Sequence, residues 1–331
     1  MPDSPCRDLC TSLRQMLSRE RTLQLLQTAQ GSKPSPCLRH PWNETSEPPV
    51  CGGEMERSSP VLTDFEDQYH EQFMAQGYLR LGQLLTDAEL LALQQRMDDI
   101  MLGHIRYPNM RFQLNPDTPG GKPVRTLGNQ NATLAYRRID DLEQDPVFLS
   151  YLQHPLIRQI TRRYIGEHVS VFRTMLMNKP AESGTVLPWH QDVGTGWGID
   201  TNPFVTVWMG LDAATVASGC MQIVPGSNNL GILNERHFTT EEDQARYARP
   251  EDVVDLETEA GEVILLHNFL LHRSALNATG APRRAFSVTY MDAATRSLKT
   301  GRTFPVVFGE GALDPATVPP KEAELMDIFH G

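Results

Sequence analysis

The chain has 331 residues, 40% of them hydrophobic, and a formal net charge of −11. That much apolar material supports a sizeable core, whereas the acidic balance argues against a broad nucleic-acid-binding surface. No apolar run approaches the ~20 residues that a membrane-spanning helix needs. Residues 1–58 read as a separate leader. A short amphipathic helix over 11–29 is followed by Pro34, Pro36, Pro41, Pro48 and Pro49 with Gly52 and Gly53, which predicts irregular or disordered chain. Cys6, Cys10, Cys37 and Cys51 fall in this leader and only Cys220 in the body, at spacings that match no common zinc pattern. The polar start Met1-Pro2-Asp3-Ser4-Pro5 has no secretory character, so a reducing cytoplasm is the expectation.

From residue 59 to 331 a single domain is expected, with a helical part over 59–168, a strand-rich core over 169–300 and a tail over 301–331. Thr63-Asp64-Phe65-Glu66 reads as a capping box opening a helix that places Phe65, Tyr69 and Phe73 at i, i+4 and i+8 and ends at Gly77. Tyr78-Leu79-Arg80-Leu81 alternates as a strand does. Thr86-Asp87-Ala88-Glu89 opens a second helix with Leu90, Leu93, Met97 and Ile100 along one side. Residues 103–135, polar and rich in Gly, Pro and Asn, read as a long loop. Two further helices are expected near 145–153 and 155–165. Apolar, β-rich segments follow at 169–179, 204–212, 220–224, 262–267 and 284–291, with an acidic, polar insertion over 231–258. Many short strands in one block predict a mainly β protein with flanking helices, its core a jelly roll of the cupin type, the double-stranded β-helix.

The chemistry concentrates in Pro188-Trp189-His190-Gln191-Asp192 and Leu270-Leu271-His272-Arg273-Ser274. On a strand, residues i and i+2 point the same way, so His190 and Asp192 can reach one metal while Gln191 points away. A third ligand must come from another strand, and His272 offers it. Two imidazoles and one carboxylate make the facial triad of non-haem Fe(II) oxygenases, which leaves positions for a co-substrate and O2. A lone His-x-Asp is more often a surface accident, so the flanks decide. His267 is the rival third ligand. Lying five residues before His272, it would face the opposite way in a regular strand. His154, His168 and His237 lack any partner pattern and read as surface or packing histidines.

After His272 come Ser274, Asn277 and Arg283-Arg284. A dicarboxylate such as 2-oxoglutarate that chelates a metal at one end needs a cation at the other, and arginine offers a bidentate fork. Neighbouring strand residues face opposite ways, so at most one of Arg283 and Arg284 enters the site; as solvated turn charges, neither would. Ser274 adds a hydroxyl, and Asn277 is suited to hold nearby backbone.

Five stretches carry a family resemblance. They are Met175-Leu176-Met177-Asn178-Lys179-Pro180; Trp189-His190-Gln191-Asp192; Thr206-Val207-Trp208-Met209-Gly210-Leu211-Asp212; Gly219-Cys220-Met221-Gln222-Ile223-Val224-Pro225-Gly226-Ser227; and His267 to Ser274 running on through Asn277 to Arg283. Over roughly residues 59 to 300 the chain resembles the phytanoyl-CoA dioxygenase family of Fe(II)/2-oxoglutarate oxygenases. The resemblance implies His190, Asp192 and His272 as iron ligands, favouring His272 over His267. It implies Arg283 as the anchor of the distal 2-oxoglutarate carboxylate, with Ser274 beside it and Trp208 and Met175 lining the pocket, although either of the last two would also be core in any β-sandwich. Arg138, in Tyr136-Arg137-Arg138-Ile139, falls near a basic residue that contacts 2-oxoglutarate, with Arg137 as the alternative.

Halogenating relatives replace the carboxylate with a small residue, so Asp192 implies hydroxylation, with succinate and CO2 released. Family substrates include acyl-CoA thioesters, amino acids and osmolytes, and the sequence does not choose among them. Asn178, Gln191, Val193 and Trp197 are candidates for substrate contact. Two rival readings are a non-catalytic jelly roll that binds metal or a small molecule, and a cupin enzyme that does not use 2-oxoglutarate.

Overall fold

The computed structural model describes residues 62–115, 122–181 and 185–318. The chain divides into Met1–Met55 and Glu56–Gly331, and every described residue belongs to the second unit. The leader expected over 1–58 and the end of the tail lie outside the described residues.

The chain begins with helix α1 (Asp67–Gln76), strand β1 (Tyr78–Gln83) and helix α2 (Asp87–Leu102). Thr86 and Glu89 form the expected capping box on α2. The box expected at 63–66 does not form: Glu66 is the N-cap of α1 without a side-chain bond, and Thr63 donates to its neighbour Asp64. Gly77, at φ 78, closes α1 in the left-handed conformation that glycine adopts without strain, its N–H donating to the Phe73 carbonyl.

The segment read as a long loop contains a hairpin, β2 (Arg111–Leu114) and β3 (Val124–Leu127), which joins β4 (Tyr136–Asp140). It escaped notice because β3 buries none of its residues, so it carries no apolar alternation. Helices α3 (Pro146–Leu152) and α4 (Pro155–Tyr164) follow, each with proline in its first turn. Then come β5 (Val169–Lys179), β6 (Leu187–His190), β7 (Val205–Gly210), β8 (Met221–Ile223), α5 (Glu241–Tyr247), β9 (Val254–Leu256), β10 (Glu262–His267), β11 (His272–Ser274), β12 (Arg283–Asp292) and β13 (Val306–Phe308). Strand β9 lies inside the expected 231–258 insertion, and β13 extends strand structure past residue 300.

All pairings are antiparallel. The larger sheet runs β1-β10-β7-β12-β5-β4-β2-β3, with β13 also against β5, and the smaller runs β6-β11-β8-β9. This is the expected jelly roll. Register sorts the larger sheet into two faces. Arg283, Ala285, Ser287 and Thr289 on β12 stand opposite Lys179, Met177, Met175 and Arg173 on β5. Ser287 and Thr289 also stand opposite Trp208 and Thr206 on β7. These residues share the face toward the smaller sheet. The other face carries Leu176, Val207, Phe286, Val288 and Tyr290, all buried.

That apolar face packs on the helices. Phe286 meets Phe148 edge-on at 4.9 Å, and the Tyr290 hydroxyl donates to the Leu152 carbonyl at 3.0 Å. Burying each such side chain is worth about 1.5–3 kcal/mol. One face therefore provides stability and leaves the other free to carry polar groups. Among the described residues, no helix is long and apolar enough to cross a membrane.

Candidate metal centre

His190 ends β6 and His272 opens β11, and the pairing of those strands sets the two residues opposite each other with ring centroids 4.1 Å apart. Asp192 lies just beyond β6. His190, Asp192 and His272 each offer a ligand atom, all within 4.8 Å of one another, and among the described residues this is the only such cluster. His190 Nε2 lies 3.8 Å from one Asp192 carboxylate oxygen and His272 Nε2 3.7 Å from the other.

Each imidazole is oriented by its own backbone. Nδ1–H of His190 donates to the Pro188 carbonyl at 2.7 Å, and Nδ1–H of His272 to the Leu270 carbonyl at 2.9 Å. With Nδ1 protonated, the Nε2 lone pairs converge on the carboxylate, as a metal site requires. Burial, reinforced by His272, pushes His190 down to about 3, so the ring is neutral at neutral pH. Burial would raise Asp192, but His272 and then His190 hold it below the usual carboxylate range. The Asp192 main chain is clamped by Asn268, whose carbonyl accepts from Asp192 N–H at 2.8 Å and whose Nδ2 donates to the Asp192 carbonyl at 3.1 Å.

His267 stays outside the cluster. Its Nδ1 accepts from the Phe269 N–H at 3.0 Å, and its ring packs on Phe204 at 4.2 Å.

Beside the cluster, between the sheets, lies a cavity of about 80 Å³ lined by Met175, Thr206, Trp208, Met221, Ser274 and Arg283 among others. Arg283 is 4% exposed. It donates to the Gly219 carbonyl, while its buried Nε has no partner. Burial lowers it to about 10. A buried guanidinium without a carboxylate is costly, and an entering anion offsets that cost. Arg284 faces the other way and is neutralised by Asp212 and Asp98. Asn277 holds the preceding turn by donating to the Lys179 and Ala281 carbonyls.

Arg138 is not brought to this cavity. It grips Asp140 at 2.5 Å and lines a broader space beyond. Arg137 instead borders a small space together with Lys179, Ser274 and Arg283. The register of β2 on β4 runs from Arg138 to Tyr136 with an irregularity that skips Arg137, which frees it from strict alternation. Lys179 escaped the sequence reading, although on β5 it shares the parity of Met175 and Met177. Burial, then Arg283 and Arg137, bring it down to about 7.

His237 was also missed. Its ring lies 4.8 Å from that of His190, and it holds φ 78, an unusual value for a residue with a side chain. No local spacing could have marked it. Of the candidate substrate contacts, Asn178 donates to the Leu134 and Tyr136 carbonyls, and Gln191 to the Gly231 and Phe269 carbonyls. Both are committed to backbone.

Two oriented imidazoles and a carboxylate suit Fe(II), and an unpaired buried arginine beside them suits the far end of 2-oxoglutarate. The comparisons with known proteins agree. The family model for phytanoyl-CoA dioxygenase (PhyH) matches residues 73–285. A probable phytanoyl-CoA dioxygenase of Caenorhabditis elegans is 25% identical, over 71% of this chain and 77% of its own. The peroxisomal phytanoyl-CoA dioxygenase of Rattus norvegicus is 23% identical, over 70% of this chain and 68% of its own. A crystal structure of EctD from S. alaskensis with 2-oxoglutarate and 5-hydroxyectoine shares the fold at TM-score 0.55 and 19% identity, over 74% of this chain and 85% of that one. The chain belongs to the phytanoyl-CoA dioxygenase family and is an Fe(II)- and 2-oxoglutarate-dependent oxygenase.

Proposed function

We propose that this oxygenase hydroxylates a small molecule, with His190, Asp192 and His272 holding the iron and Arg283 holding the far carboxylate of 2-oxoglutarate. The observation that carries this reading is the buried, carboxylate-free Arg283 facing the same narrow cavity as the converging histidines. Bound together, iron and 2-oxoglutarate supply the oxidising chemistry, consuming O2 and releasing succinate and CO2.

The chain's own part is positioning. The Pro188 and Leu270 carbonyls keep both imidazoles in the ligating tautomer, and Asp192 stays ionised beside them. Met175, Trp208 and Met221 form apolar walls that limit water around the anionic co-substrate. Ser274 and Arg137 border Arg283 and add donors at the same end. An aspartate at position 192 leaves no small-residue gap for a halide, which supports hydroxylation over halogenation. A reducing cytoplasm is our reading of its location; imaging of a tagged chain checks it, and peroxisomal signal would replace it.

The functional test is anaerobic addition of Fe(II) and 2-oxoglutarate to the purified protein. A visible metal-to-ligand charge-transfer band is expected, then succinate formation when O2 and substrate are admitted, with a product one oxygen heavier. No band and no succinate would overturn the reading.

A further inference from the structure

The inner face of β5 continues past Met177 and Met175 to Arg173, where a second cavity of about 560 Å³ opens along β2, β3, β4 and β5. A space of this size accommodates a metabolite. Its walls are charged, and most of the charges are already matched. Arg111 is held by Asp141 at 2.6 Å, Arg138 by Asp140 at 2.5 Å, and Glu143 accepts from the Thr174 hydroxyl. Arg125 is exposed to solvent.

Arg173 differs from all of these. Its guanidinium carbon lies 4.2 Å from the Trp197 ring centroid and 4.9 Å from that of Phe172. Those rings, themselves stacked at 5.1 Å, hold the guanidinium by its face and satisfy none of its N–H donors. Among the described residues it has no hydrogen-bond or ion-pair partner. Trp197 also donates its indole N–H to His237 at 3.2 Å, and His237 packs on His190, so the brace on Arg173 is tied to the metal cluster. Asp192 and Arg173 feel each other's charge. Once Asp192 serves a metal, that attraction is shared with a stronger cation.

We infer that Arg173 anchors a carboxylate of the substrate, and that the enzyme acts on a compact carboxylic acid and not on a long acyl thioester. This rests on the iron and 2-oxoglutarate reading, which assigns the narrow cavity to the co-substrate and leaves the broad one for the substrate. Counting Arg125, the broad cavity carries four arginines against Asp140, Asp141 and a Glu143 that burial raises to about 7, so positive charge is in excess whether or not Glu143 is ionised, which suits an anion. An alkyl chain laid along the same wall would desolvate two ion pairs and gain no partner for Arg173. A carboxylate meets the guanidinium fork bidentately while the rings keep the fork in plane. Trp197 and His237 link this anchor to His190, so an acid held there has a fixed position relative to the cluster.

The test uses calorimetry and the charge-transfer band on the full chain loaded anaerobically with Fe(II) and 2-oxoglutarate. The probes are benzoate, cyclohexanecarboxylate and L-proline, with their methyl esters and hexadecanoyl-CoA as controls. At least one acid is expected to bind and perturb the band, its ester at least about 10-fold more weakly. Arg173→Gln is expected to weaken that acid by about 10-fold or more, less than for a fully buried charge pair because Arg173 is half-buried, with 2-oxoglutarate affinity unchanged. Arg173→Lys should recover part of the loss and covers the case in which the glutamine variant folds poorly. The inference falls if no acid binds, if Arg173→Gln binds acids as the parent does, or if hexadecanoyl-CoA binds in place of the acids. Titration of the metal-free protein keeps the two readings apart. Acid binding that needs Arg173 but survives Arg283→Gln upholds the inference even where no 2-oxoglutarate band forms.

Discussion

Two cavities share the inner face of β5 and treat their arginines in opposite ways. In the narrow one, Arg283 is sealed in with a single carbonyl partner. In the broad one, Arg111 and Arg138 are each locked to a neighbouring aspartate, and Arg173, half-buried beside Trp197 and Phe172, has no ion-pair partner among the described residues. A paired arginine gains little from an incoming anion, because the anion must displace a carboxylate already in place. A buried, unpaired one carries a desolvation cost that the anion offsets. Counting arginines would put the anion site in the broad cavity; following their pairing gives one anion position in each.

The sharpest way to break this division starts at the narrow cavity. His272→Ala is expected to weaken iron binding by more than the roughly 10–100-fold that a supporting residue costs, and to abolish the 2-oxoglutarate band. His267→Ala should retain the band, and the reverse pattern would reassign the ligand. Next, Arg283→Gln should raise the Kd for 2-oxoglutarate about 100-fold by calorimetry, while Arg138→Gln leaves it nearly unchanged. Equal losses would merge the two cavities into one site.

His267, which serves neither cavity, sets a pH control. Burial brings it down to about 4 in the folded chain, against ~6.5 for an unfolded histidine. The unfolded chain therefore binds the proton first. Stability from this residue is complete above pH ~6.5 and is lost as the pH falls toward 4, by up to roughly 3 kcal/mol. Urea midpoints across that window should fall less steeply in His267→Asn, in which the side-chain amide oxygen replaces Nδ1 as acceptor for Phe269. The smallest effect is expected at Arg284, on the opposite face from Arg283. Arg284→Gln should leave 2-oxoglutarate affinity alone and lower stability by about 1–2 kcal/mol in urea unfolding, because Asp212 and Asp98 lose their shared cation. A change in 2-oxoglutarate affinity there would contradict the face assignment.

Much of the site was readable because backbone direction is local. Arg283 and Arg284 must part company wherever β12 lies, and His190 and Asp192 reach one point although β6 ends at His190 and Asp192 is held by Asn268 just beyond it. The box at Thr86 formed, whereas the one read at 63–66, at the same spacing, did not, because the helix there starts later, with Glu66 as its N-cap, and Thr63 donates to Asp64. Arg173 was legible in principle, sharing the parity of Met175 on one strand, but nothing local says whether an arginine is paired.

What the sequence by itself determined was therefore the set of side chains that short-range geometry throws to one side: His190 with Asp192, Arg283 apart from Arg284, and the apolar faces that make a jelly roll. Closure of the two sheets decided the rest. It set His272 opposite His190 and left His267 against Phe204, it turned Arg137 toward Arg283, and it braced Arg173 through Trp197 against His237. The reason is physical. A residue's direction depends on neighbours within a few positions, but its partners depend on which distant strands pair, in what register, and where that register slips.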